Sequence, residues 1–142
     1  MTRRTFVVSA LAELLQAAGH EPVVLRGGMG AVQRREALER LQPDKGPLLV
    51  VATGPYVGEG FDCPALDTLF LAAPIAFKGR LVQYVGRVLR AAPGKHVVEV
   101  HDYHDIQTGV LASSLRKRAP GYRSLSFPDP STTRHHQPRR PR

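Results

Sequence analysis

The 142-residue sequence has no tryptophan and a single cysteine, Cys63. One thiol can form neither an intrachain disulfide nor a cysteine-rich zinc cluster, so a reducing compartment fits and a cytoplasmic location is expected. Long apolar runs are missing too: no stretch reaches the ~18 consecutive apolar residues of a membrane span. The opening MTRRTFVVSALAELL is basic and then apolar, but Glu13 interrupts the run and no clear small-residue cleavage site follows. It is read as a helix rather than as a signal peptide. No lysine is followed by Ser or Thr, and no aspartate by Glu. The chain therefore has neither the G-x-x-x-x-G-K-[ST] loop that cradles nucleotide phosphates nor the acidic motif that holds their Mg²⁺, which excludes an ATPase complete in itself. Acidic residues are also few, 12 against 20 Lys and Arg, for a net charge of +8. That excess favours a polyanionic partner, nucleic acid before a membrane surface.

What is present alternates between two periods. Residues 5–18 predict an amphipathic helix with Leu11, Leu14, Leu15 and Ala18 on one face, ended by Gly19. PVVLR (22–26) reads as a short buried strand followed by the turn GGMG, and residues 31–41 as a helix with Ala31, Leu38 and Leu41 inward, broken by Pro43 and Gly46. PLLVVA (47–52) and TLFLAA (68–73) are apolar runs of strand length, as in a parallel strand covered on both faces. A helix over 81–90, a turn at Pro93–Gly94, a strand over 96–103 and a helix over 107–118 complete the order. Strands alternating with helices imply an α/β fold, a parallel sheet with helices on both faces. Residues 1–123 are expected to form one domain. The segment 124–142, rich in Pro, Ser, Thr and Arg, is expected to be a disordered basic tail, and its RHHQPRRPR end supplies four of the arginines.

In open parallel sheets ligands gather beyond the carboxyl ends of the strands, so the segments after the strands are the candidate sites. ATGPYVGEGFDCP offers Thr53 and Gly54 where the chain leaves a strand, Gly58 and Gly60 where backbone could turn sharply or approach a ligand, and Asp62 as an acceptor for a ribose hydroxyl or an anchor for a cation. A glycine-rich turn with Asp62 bonding its own backbone is the alternative. GGMG points to a helix N-terminus, where free N–H groups favour anions, but it also suits a plain tight turn. Arg34 and Arg35 could contact a nucleic-acid backbone or pair with Glu36 and Glu39. HDYHD (101–105) has the composition of a metal site, although strand alternation scatters its side chains to opposite faces. Cys63 has no obvious activating base and reads as a small apolar filler.

In LVQYVGRVLR, about 100° per residue puts Arg80, Gln83, Arg87 and Arg90 within an arc of roughly 80°, with Leu81, Val82, Val85, Val88 and Leu89 filling another. The polar arc has no Lys or Glu, only Gln and Arg, whose planar groups suit bidentate recognition of phosphate. Gly86 within this helix costs about 1 kcal/mol relative to Ala, which makes sense if backbone or ligand passes close by.

Together these residues resemble the second RecA-like domain, the helicase C-terminal domain, of superfamily 2 DEAD/DEAH-type helicases, with restriction-enzyme helicase subunits and repair translocases as the nearest branch. VVATGPYVGEGFDCPALDTLFLAAP resembles that family's motif V and its following strand, and QYVGRVLR its motif VI, Q-x-x-G-R-x-x-R. The resemblance spans roughly residues 2–118. It implies that Arg87 and Arg90 are arginine fingers, that Gln83 orients the γ-phosphate or the attacking water, and that Gly58, Gly60 and Asp62 border the nucleotide. It further implies that Thr53, Gly54, Gly28 and Arg35 touch a nucleic-acid backbone. ATP with Mg²⁺ would be held mainly by a P-loop-bearing RecA-like domain outside this chain, and DNA is the expected nucleic acid. The family domain opens with a strand ahead of TRRT, so the sheet is expected to lack its first strand. The chain would be the C-terminal half of an ATP-dependent DNA helicase or translocase, inactive alone. The alternatives are a stand-alone basic nucleic-acid-binding module without ATPase activity, or an inert fragment of a split gene.

Overall fold

The computed structural model describes residues 2–42, 46–58, 62–72, 78–88, 90–103, 107–130 and 132. Helices and strands alternate as the sequence predicts, with one short helix added where a loop was expected after the second strand: α1 (Arg3–Ala17), β1 (Val23–Leu25), α2 (Ala31–Glu39), β2 (Val50–Ala52), α3 (Gly54–Gly58), β3 (Thr68–Leu71), α4 (Lys78–Val88), β4 (Glu99–Asp102) and α5 (Gly109–Ser124). Two compact units are present, one of residues 1–68 with 86–99, the other of 69–85 with 100–142.

In the first unit, β1 and β2 pair in parallel with Val23 opposite Val50 and Leu25 opposite Ala52. Helix α1 starts two residues earlier than its periodicity predicts, because the Thr2 hydroxyl accepts from the Thr5 N–H and caps it. It packs on both strands with Thr5, Val8 and Ala12, and Leu14 stays exposed. Of the predicted face, Leu11 and Leu15 are half-buried beside this stripe, while Leu14 and Ala18 are exposed. In α2 the inward residues are Ala37, the partly buried Leu38 and, just past its end, Leu41, while Ala31 is exposed. Val23, Leu25, Ala37, Leu41 and Cys63 form the core, with Met29, Leu48 and Leu66 against it.

The second sheet pairs β3 with β4. Glu99 donates its N–H to Asp67 and Tyr103 donates to Leu71, the two numbers rising together as in a parallel pair. In the second unit, α5 runs six residues beyond the predicted end, through Pro120. Burial of Arg118, Ala119 and Tyr122 outweighs the hydrogen bond that Pro120 removes. Phe127 then turns back, its ring edge-on to Tyr122 and its N–H on the Tyr122 carbonyl, and Arg123 pairs with Asp129. No described helix is long and apolar enough to cross a membrane.

Candidate functional site

In the first unit the parallel pairing puts the carboxyl ends of β1 and β2 side by side. The Thr53 N–H donates to the Leu25 carbonyl at 3.0 Å, so the segments that follow the two strands leave from the same edge. After β1, Gly28 sits at φ +80°, a left-handed conformation that favours glycine, and Gly30 precedes α2 with its N–H on the Gln33 side chain. After β2 the chain enters the short helix α3 at once, so the predicted loop is partly helical; the Tyr56 N–H donates back to Thr53. Pro55 suits a first helical turn because it has no N–H to leave unsatisfied. Arg34 stacks over the Tyr56 ring at 5.4 Å and so joins the start of α2 to α3. Arg35 faces water with Glu39 at 3.9 Å, both side chains about 70% exposed (71% and 69%). A cation so placed is available to a polyanion. Gly28, Thr53, Gly54 and Arg35 thus all belong to the elements at this edge.

The structure also joins the two motifs. Arg90, just beyond α4, donates through Nη1 to Asp62 Oδ2, 28 residues earlier, with side chains 51% and 48% exposed. In this structure the cation beside Asp62 is the chain's own guanidinium. Its neighbour Cys63 is buried and donates its thiol proton toward the Leu41 carbonyl, which seats this segment in the core. Burial is the main cause that raises the Cys63 thiol pKa above its ordinary value, as befits an inert filler rather than a nucleophile. Gly58 closes α3, and Gly60 lies outside the described residues.

Helix α4 separates its two arcs as predicted. Leu81, Val85 and Val88 are buried, Tyr84 joins them, and Leu89 lies outside the described residues. Arg80 and Gln83 are exposed and Arg87 is half-buried. Arg87 and Arg90 belong to the first unit, and Gln83 to the second. A Cβ placed at Gly86 meets no atom within 4 Å among the described residues, so close packing against these residues does not account for the glycine. Gly86→Ala should therefore stabilise the isolated chain by about 1 kcal/mol in urea unfolding, and an unchanged or lower midpoint would contradict this.

Among the described residues no group of three possible metal ligands gathers. Asp102 faces Arg118 and Tyr122, His101 stacks on Phe70 with ring centroids 4.8 Å apart, and His104 and Asp105 lie outside the described residues. Sequence reasoning missed Lys95, whose ammonium donates to the carbonyls of Pro64, Val88 and Arg90. The one available signal was its place directly after the Pro93–Gly94 turn.

Comparison with known proteins bears on the family and the fold. The family model for the helicase conserved C-terminal domain matches residues 1–92. No curated protein matches the chain. Among solved structures, the C-terminal domain of the DEAD-box protein Dbp5 is 20% identical with a TM-score of 0.60, over 87% of this chain and 66% of that one. A Dbp5 C-terminal domain variant from S. cerevisiae, bound to a Gle1 variant and IP6, is 18% identical with a TM-score of 0.58, over 88% and 66%. The C-terminal part of the Fun30 ATPase domain is 15% identical with a TM-score of 0.56, over 69% of this chain and 31% of that one. At these identities the likeness establishes the fold, a RecA-like α/β domain, and the chain spans less than two thirds of the length of each structure. Matched over well more than half its length by the family model, and carrying that family's fold, this chain belongs to the helicase conserved C-terminal domain family.

Proposed function

We propose that the chain is the C-terminal half of an ATP-dependent DNA helicase or translocase, and that it supplies arginine fingers and part of the nucleic-acid track. The observation that carries this reading is the contact of Asp62 with Arg90, which puts the motif V acid and a motif VI arginine in one place. Both groups are half-exposed, and a pair of that kind contributes at most about 1 kcal/mol, so a nucleotide can take its place. ATP with Mg²⁺ would bring the phosphoryl group to be transferred. Asp62 would accept from the ribose, Arg90 and Arg87 would meet the negative charge on the terminal phosphate, and Gln83 would orient that phosphate or the water beside it. The residues fit one side of such a site only. The loop that holds the phosphates must come from a P-loop-bearing RecA-like domain, the partner this reading requires. The wording of motifs V and VI supports the branch of restriction subunits and repair translocases.

Gly28, Thr53, Gly54 and Arg35 would follow the nucleic-acid backbone with little regard to base sequence. The isolated chain should therefore bind single-stranded DNA with a strong salt dependence. Arg35→Ala should reduce the slope of log affinity against log salt by about 0.7, the value for one phosphate contact on a single strand. ATP hydrolysis by the isolated chain that survives both Arg87→Ala and Arg90→Ala would overturn the proposal. DNA binding that ignores Arg35→Ala and is lost when residues 124–142 are deleted would favour a stand-alone basic binding module, for which the +8 charge speaks.

A further inference from the structure

Arg90 lies two residues past the end of α4, where a helix frays and a long side chain has no fixed origin. Its backbone nevertheless has a partner. The Pro93–Gly94 turn, with Gly94 at φ +76° and the Lys95 N–H on the Ala92 carbonyl at 3.2 Å, returns the chain to the end of the helix. The Lys95 ammonium there donates to the Val88 carbonyl, to the Arg90 carbonyl at 2.5 Å and to the Pro64 carbonyl at 3.2 Å. An ammonium has three N–H donors and no acceptor, so these three carbonyls match its capacity. The Val88 carbonyl terminates α4 and that of Arg90 follows directly beyond it, where the helix dipole favours a cation. The third belongs to a segment seated in the core by Cys63, whose carbonyl also accepts from the Leu66 N–H at 3.1 Å. Asp62, the carboxylate that meets Arg90, is two residues before Pro64.

We propose that Lys95 is a positioning residue for Arg90. Its ammonium fixes the backbone of Arg90 against the segment that carries Asp62, and so sets where the guanidinium starts. The consequence for ATP rests on the reading of Arg90 given above; the positioning itself does not. A neutral side chain at 95 would leave the Val88 and Arg90 carbonyls to water and release Arg90 from Asp62 while the strands and α1 remain.

The test uses the full chain labelled with ¹⁵N-arginine, the Arg90 guanidinium signals being identified by their disappearance in Arg90→Lys. Lys95→Met should move the Arg90 signals to the positions they take in Asp62→Asn, and Lys95→Arg should keep them where they are in the parent chain. Circular dichroism reports whether each variant is folded. If Lys95→Met fails to fold, Lys95→Gln, whose amide can serve only two carbonyls, should shift the same signals part of the way. Arg90 signals unchanged in whichever of these two variants is folded would overturn the proposal, because a cap that merely stabilises the helix would leave the contact with Asp62 intact. Since the readout needs no nucleotide, its failure is separate from any failure of the ATP reading, which turnover measures.

Discussion

Asp102→Ala is expected to destabilise the chain by about 3–5 kcal/mol, the cost of removing one partner from a buried ion pair. In the second unit Asp102 accepts from Arg118 Nε at 2.9 Å, from Arg118 Nη2 at 2.7 Å and from the Tyr122 hydroxyl at 2.7 Å. The Arg118 and Asp102 side chains are 2% and 9% exposed, so water cannot replace the lost carboxylate. Alanine takes away the acceptor of a forked guanidinium and of a buried phenol at once. Urea unfolding followed by circular dichroism measures the loss, and a shift below about 1 kcal/mol, the range of an exposed pair, would contradict the burial. Replacing Asp102, Arg118 and Tyr122 together by Leu, Met and Phe should restore most of the loss, since apolar residues of similar volume often stand in for a buried pair at little cost.

The same triad predicts a pH dependence. Burial first, and then the Asp102 carboxylate that accepts its proton, push the Tyr122 hydroxyl well above its ordinary value of about 10. A group with a raised folded pKa contributes fully below its unfolded value and loses that contribution as pH climbs toward the folded one. Stability should therefore decline from about pH 10 upward, and the decline should be shallower in Tyr122→Phe. Equal slopes for the two proteins would exclude a linkage through Tyr122.

The second large effect concerns rate. When a P-loop-bearing RecA-like domain is joined to this chain and supports ATP turnover, Arg90→Ala should lower single-turnover hydrolysis by about 10³- to 10⁵-fold. Arg90→Lys should restore little of it, because a point charge does not reproduce a planar fork on phosphate. The pair with Asp62 is half-exposed, so the unfolding midpoint should barely move. The split between rate and stability is the diagnostic outcome. A loss of stability that matches the loss of rate would make Arg90 a structural residue, and an unchanged rate would remove it from the catalytic reading altogether.

Element order, parallel strand pairing and the two arcs of α4 were legible in the sequence because each rests on a local period: continuous apolar runs for β2 and β3, and a stripe of about 3.6 residues per turn for Leu81, Val85 and Val88. Element ends were less legible. α1 begins early because Thr2 caps it, and α5 continues past Pro120 because Tyr122 gains Asp102 and Phe127. The buried face of α1 was legible only in part: Leu11 and Leu15 are half-buried and Leu14 and Ala18 exposed, while Thr5, Val8 and Ala12 take the centre, since a lone helix has no means of saying which side will meet a sheet.

The candidate site divides along the same line. The residue types that suit phosphate and their order along the chain, Thr53 to Asp62 and then Gln83 to Arg90, were determined by the sequence alone. That Asp62 meets Arg90 across 28 residues, that Lys95 gathers Pro64, Val88 and Arg90, and that Arg118 is buried on Asp102 was decided only by the tertiary structure. A charged side chain carries no local mark of its partner. Its burial becomes tolerable only when folding brings the opposite charge and the remaining acceptors to it.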